Sequence, residues 1–126
     1  MKKILLFIFL STLFCNISFA DWQFGSRTSS DTWYYESSSV IKDGDITYVW
    51  VLTDYKKIGK YNEMSVKSYV PMKCKLYQFQ VLQLIYYPKS MGKGPMLERV
   101  ENPDIKWLPA PPGSAWKGLM NRVCAK

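Results

Sequence analysis

The sequence contains no histidine. That removes the commonest general base, any serine or cysteine nucleophile paired with one, and the imidazole ligands of most zinc sites. Cysteine is scarce: there are three among 126 residues, Cys15, Cys74 and Cys124. So few thiols without histidine do not complete a usual four-ligand site, and neither a metal nor another cofactor is expected. Acidic residues are the minority charge, ten against seventeen Lys and Arg, and they are scattered. Asp43 and Asp45 flank a turn glycine; Asp54, Glu63, Glu98, Glu101 and Asp104 fall at strand ends or in loops, so no hydrolase pair is legible. Gly92-Lys93-Gly94 lacks the glycine spacing and the following Ser or Thr of a phosphate loop. No enzymatic activity is expected.

Long apolar runs are also missing, except at the start. Lys2 and Lys3 precede the apolar stretch Ile4 to Phe14, and Ser18-Phe19-Ala20 places small residues at the −3 and −1 positions of a signal-peptidase site. Residues 1–20 are therefore expected to be a secretory signal. A spanning helix needs about 20 apolar residues; this run is shorter, so no transmembrane segment is expected in the mature chain. Phe14 directly before Cys15 argues against lipidation there. The mature chain is expected to begin at Asp21, with two cysteines and, after loss of Lys2 and Lys3, a net charge of +5 instead of +7. Residues 21–126 suffice for one domain with a single thin core. An even cysteine count in an exported protein points to a Cys74–Cys124 disulfide, worth roughly 4 kcal/mol for a loop of about 50 residues on the chain-entropy account.

What is present is mostly strand. Thr32 to Glu36 is aromatic, Asp43-Gly44 between apolar runs marks a hairpin, and Ile46 to Tyr55 is apolar on both parities, as a central strand is. Glu63 to Val70 alternates, and Pro71 is expected to bend or end it. Lys73 to Pro88 reads as one long strand with two faces. Its even face carries Cys74 and is assigned to the core. Its odd face carries Lys73, Lys75, Tyr77, Phe79, Val81, Ile85 and Tyr87 and continues Lys67 and Tyr69. Met96 to Val100 can return as a strand. Four prolines within 102–112 exclude regular structure there. Ser114 can cap a helix from Ala115 to about Ala125, with Ala115, Trp116, Leu119, Met120 and Val123 as its apolar stripe. The expected architecture is α+β: an antiparallel sheet of about six strands with one C-terminal helix held by the disulfide to the even face.

The segments YYE, SSSVIKDGDITYVWVLTDY, SVKSY, KCKLYQF, MGKG and KWLPAPPGSAWKGLMNRVC, in that order, resemble the surface-adhesin protein E-like family over nearly the whole mature chain. The family's usual aspartate after the tyrosine pair Tyr34-Tyr35 is Glu36 here. The resemblance implies a six-stranded antiparallel sheet with a disulfide-tethered C-terminal helix. It also implies adhesion by a dimeric protein of the Gram-negative surface that binds host matrix and serum proteins.

The basic residues give that reading a chemistry. Lys56, Lys57 and Lys60 share one loop, and Lys89 and Lys93 another; with Lys67, Lys73 and Lys75 they form a field that favours acidic partners. An uncovered odd face carrying Tyr77, Phe79, Val81, Ile85 and Tyr87 is expected to meet a partner. The leading expectation is an exported adhesin-like domain contacting host matrix or serum proteins or acidic glycans, not nucleic acid, through this basic and aromatic face. The alternative is a periplasmic or envelope-associated structural protein whose sheet face only self-associates, as a homodimer. The expected compartment is the periplasm, the outer surface or the medium of a Gram-negative cell.

Overall fold

The computed structural model describes residues 21–103 and 106–125; the expected signal, residues 1–20, lies outside them. In chain order the elements are β1 (Trp22–Arg27), β2 (Asp31–Glu36), β3 (Ile41–Asp43), β4 (Ile46–Tyr55), β5 (Ser65–Lys73), β6 (Gln78–Phe79), β7 (Gln83–Tyr87), β8 (Glu98–Glu101), β9 (Leu108–Pro109) and α1 (Ala115–Cys124). All strands join one antiparallel sheet, with β1-β2-β4-β5-β7-β8 as its main order. The short strands β3, β6 and β9 attach beside β4, β5 and β6.

The alternation of β4 and its register with β5 decide which face is core. Thr47, Val49 and Val51 stand opposite Met72, Val70 and Ser68, and this face packs with Leu119, Met120 and Val123 of α1. Ser114 caps the helix, its hydroxyl accepting the Lys117 N–H at 3.2 Å. The helix lies over β1 and β2. At Gly25, where the β1–β2 register shifts, a Cβ would overlap Leu119 Cδ1, so close approach of strand and helix requires glycine. The Cys74–Cys124 bridge, with Cα atoms 5.8 Å apart, ties the last helical turn to the segment after β5.

The long strand expected over Lys73 to Pro88 is instead three pieces. β5 ends at Lys73, residues 74–77 turn, β6 lasts two residues, and β7 begins at Gln83. Tyr77 sits in the left-handed region at φ 50°, which breaks strict alternation. Phe79 and Val81, expected on the odd face, are therefore core residues, 4 % and 6 % exposed. Leu76, expected toward the core, is exposed. The irregular residues 80–82 restore the expected faces, with Leu84 and Tyr86 toward the helix side and Ile85 and Tyr87 away from it.

Pro71 neither ends nor bends the strand: it lies inside β5 opposite Tyr48. In an antiparallel pair the N–H and C=O of one residue point to the same side. The Pro71 carbonyl accepts the Gln80 N–H, so its ring nitrogen faces the gap between β6 and β7 and withholds no ladder bond from β4.

The open sheet face and the lysine-bearing end

The face opposite the helix follows from the same register. Tyr48 and Trp50 of β4, Lys67, Tyr69 and Lys73 of β5, and Gln83, Ile85 and Tyr87 of β7 share it, all half-buried. Trp50 stands opposite Tyr69 with ring centroids 5.0 Å apart, and Tyr48 stacks on Tyr69 at 6.0 Å. The Lys67 ammonium lies 4.9 Å from the Tyr87 ring and 5.9 Å from that of Trp22. The Lys73 ammonium is 4.2 Å from the Trp107 ring. A shallow hollow of about 210 Å³ is lined by Trp22, Glu36, Trp50, Lys67, Ile85 and Tyr87. No carboxylate of the described residues lies within 4.0 Å of the Lys67 ammonium, unlike the Lys75–Asp45 and Arg99–Glu101 pairs. The hollow thus offers aromatic walls, a cation without an anionic partner, and at its side the Glu36 carboxylate, which accepts from Ser38 Oγ at 3.3 Å.

One end of this face is roofed. Leu52 points the same way as Trp50 yet is fully buried, because the turn Ser90–Gly92 folds back over it. Three hydrogen bonds pin the turn: Met91 N–H to Asp54 Oδ1 at 3.0 Å, Gly92 N–H to Ser65 Oγ at 2.8 Å, and Ser65 O–H to the Lys89 carbonyl at 2.6 Å. Gly92 adopts φ +70°, and a Cβ there would come within 2.7 Å of Lys67 Cε. Gly92→Ala should cost about 1–3 kcal/mol through its left-handed backbone alone. It should also displace Lys67 from the hollow. A lowered urea midpoint measures the first effect; an unchanged midpoint would contradict the pinned turn.

The remaining expected residues are dispersed. Lys75 is exposed and pairs with Asp45 at 3.5 Å. Tyr77 lies in the turn with the Lys117 ammonium 4.5 Å from its ring. Phe79 stacks on Trp116 at 3.9 Å, and Trp116 meets Trp33 edge-on at 4.7 Å, so Phe79 belongs to the aromatic seam under the helix. Trp22, Glu36, Tyr48, Trp50 and Trp107 were not among the expected face residues. Tyr48 and Trp50 were visible as one parity of β4; their place beside Lys67 and Tyr69 depends on the β4–β5 register.

Lys56, Lys57 and Lys60 lie in the β4–β5 connection and Lys89 and Lys93 in the β7–β8 connection. Antiparallel pairing of β4, β5, β7 and β8 puts both connections at one end of the sheet. There Glu63 is buried, and its Oε2 accepts the Tyr61 N–H at 2.7 Å. Burial pushes the Tyr55 hydroxyl up to about 12, helped by the charges of Glu63 and Asp31 and by Tyr86. Tyr86 is raised by burial first and then by Tyr61, Glu63 and Glu98. These phenols stay protonated in the ordinary range, so the end's cationic character is set by its lysines.

The profile of the family described as surface-adhesin protein E matches residues 22–125. No curated protein matches the sequence significantly. A crystal structure of protein E from non-typeable Haemophilus influenzae is 18 % identical with a TM-score of 0.60, the alignment covering 88 % of this chain and 80 % of that one. A second crystal form of Haemophilus influenzae protein E is 18 % identical with a TM-score of 0.56, covering 80 % and 91 %. At that identity the structural likeness establishes a shared fold.

Proposed function

The chain belongs to the surface-adhesin protein E family, and on that premise we propose that it is an exported, non-enzymatic adhesin. Its partners are host matrix or serum proteins or acidic glycans. The open sheet face makes the contact: Trp50, Tyr69 and Tyr87 supply ring surface, and Lys67 and Lys73 the charge that orients an acidic partner. The observation that carries this reading is the hollow at Lys67, where, among the described residues, a cation without an ion-pair partner stands among rings on the face opposite α1. Family membership supports the adhesive role and the cell surface as its place.

Binding to immobilised matrix proteins, serum proteins and heparin tests it. Trp50→Ala or Tyr69→Ala should each weaken the bound partner roughly 30-fold if they are interface anchors. Lys67→Gln should flatten the salt dependence of affinity. Retention of full affinity by all three variants would remove the open face from the reading.

Self-association through the same face is the second reading, and it rests on the same half-buried rings of Tyr48, Trp50, Tyr69 and Tyr87. Light scattering separates the two. A dimer that Tyr69→Lys splits assigns the face to a subunit contact; a monomer at all concentrations leaves it to other partners. The substitution has to sit at Tyr69, because Phe79 lies in the core.

A further inference from the structure

We propose that the lysine-bearing end of the sheet is a separate interaction surface that lies against an anionic lipid bilayer. It does not depend on what the open face binds. Among the described residues eight large hydrophobic side chains are exposed, and four of them sit on the two connections at this end: Ile58 66 %, Tyr61 47 %, Met96 53 % and Leu97 42 %. They share these two connections with the exposed Lys56, Lys57, Lys60, Lys89 and Lys93. The carboxylates nearby are mostly drawn inward. Glu63 is buried against the Tyr61 amide, Asp54 is half-buried and holds the Met91 amide, and Asp31 is half-buried at the start of β2; of the described carboxylates at this end Glu98 alone is exposed. What faces outward is therefore cationic and apolar together.

Exposure and charge select the occupant. Ile58 and Tyr61 on the β4–β5 connection and Met96 and Leu97 just before β8 present apolar surface beside lysines at one end of the sheet. A fluid interface accepts such side chains: Ile, Met and Leu enter the acyl boundary, Tyr sits at headgroup depth, and lysines reach the lipid phosphates. The Lys60 ammonium, 5.1 Å from the Tyr61 ring, already shows that pairing of cation and amphipathic ring. The charge sign requires an anionic leaflet.

The test is co-sedimentation of the protein, expressed from the full chain, with vesicles of phosphatidylcholine alone or mixed with phosphatidylglycerol. Binding is expected only to the mixed vesicles and should fall as salt rises. Lys56→Gln, Lys57→Gln and Lys60→Gln should weaken it roughly fivefold each. Ile58→Ser and Leu97→Ser should weaken it roughly tenfold each, since both side chains would lose a buried state in the bilayer. These positions are exposed, so native circular dichroism should persist in every variant. Failure to bind mixed vesicles overturns the proposal. So does binding that ignores the two Ser substitutions, which would describe a polyanion site, or binding lost only with Trp50→Ala, which would move the contact to the open face.

Discussion

Phe79→Lys should leave the protein without a native fold. The side chain is 4 % exposed, stacked on Trp116 at 3.9 Å, and part of the cluster formed by Val49, Val70, Met72 and Leu119. Removing a buried phenyl ring alone costs about 3–5 kcal/mol. Placing an ammonium without a partner in the space costs several more, and the total reaches the whole stability of about 5–15 kcal/mol that a domain possesses. Tyr77→Lys is the matched control. It shares parity with Phe79 but sits on the surface at the turn, where its contact is the Lys117 ammonium; its cost should stay within about 1 kcal/mol. Near-ultraviolet circular dichroism and urea unfolding of the pair read the difference. A folded Phe79→Lys protein of ordinary stability would return Phe79 to an outer face and dissolve the aromatic seam under the helix.

The same pair shows why part of the candidate site was readable from the sequence and part was not. The bounds of β4, the capped start of α1 at Ser114 and the buried stripe Leu119, Met120 and Val123 all follow from local pattern, because each element satisfies its own periodicity. The faces of residues 73–88 do not. Alternation carries information only while the backbone remains extended, and one left-handed residue, Tyr77, resets it. An unbroken-strand reading keeps Lys73 and Cys74 on their observed sides but misplaces Leu76, Phe79 and Val81; from Gln83 to Tyr87 it agrees again with the observed faces, since residues 80–82 supply a compensating irregularity.

Pro71 misleads by the opposite route. Its missing N–H is a local fact, but whether that matters depends on which neighbour the nitrogen faces, and the gap between β6 and β7 is a tertiary feature. The hollow at Lys67 is tertiary as well. It gathers side chains from β1, β2, β4, β5 and β7, and only the strand order brings Trp22 of the first strand to Lys67 of the fifth. The grouping of the five loop lysines, by contrast, was one inference away: alternate connections of an antiparallel meander share an end.

Joint replacement of Cys74 and Cys124 by serine should cost about 4 kcal/mol, the chain-entropy value for the 50-residue separation the bridge closes. A large fraction of a small domain's stability would go with it. α1 has ten residues, too few to persist alone in water. Its attachment consists of the apolar contacts of Leu119, Met120 and Val123, the Trp116 stacks, the Ser26 hydroxyl bonded to the Ala115 carbonyl at 2.8 Å, and the bridge. Without the bridge the last turn should open first, so amide exchange should accelerate around Val123 before it does in β4 or β5. The sheet's open face takes no side chain from α1, so the affinity proposed for Trp50 and Lys67 should survive at temperatures where the variant remains folded. Urea unfolding of the oxidised protein and the double variant checks the magnitude. A difference below 1 kcal/mol would mean that the packing of α1 on β1 and β2 already confines the chain end, and that the bridge adds little to a core that is sufficient without it.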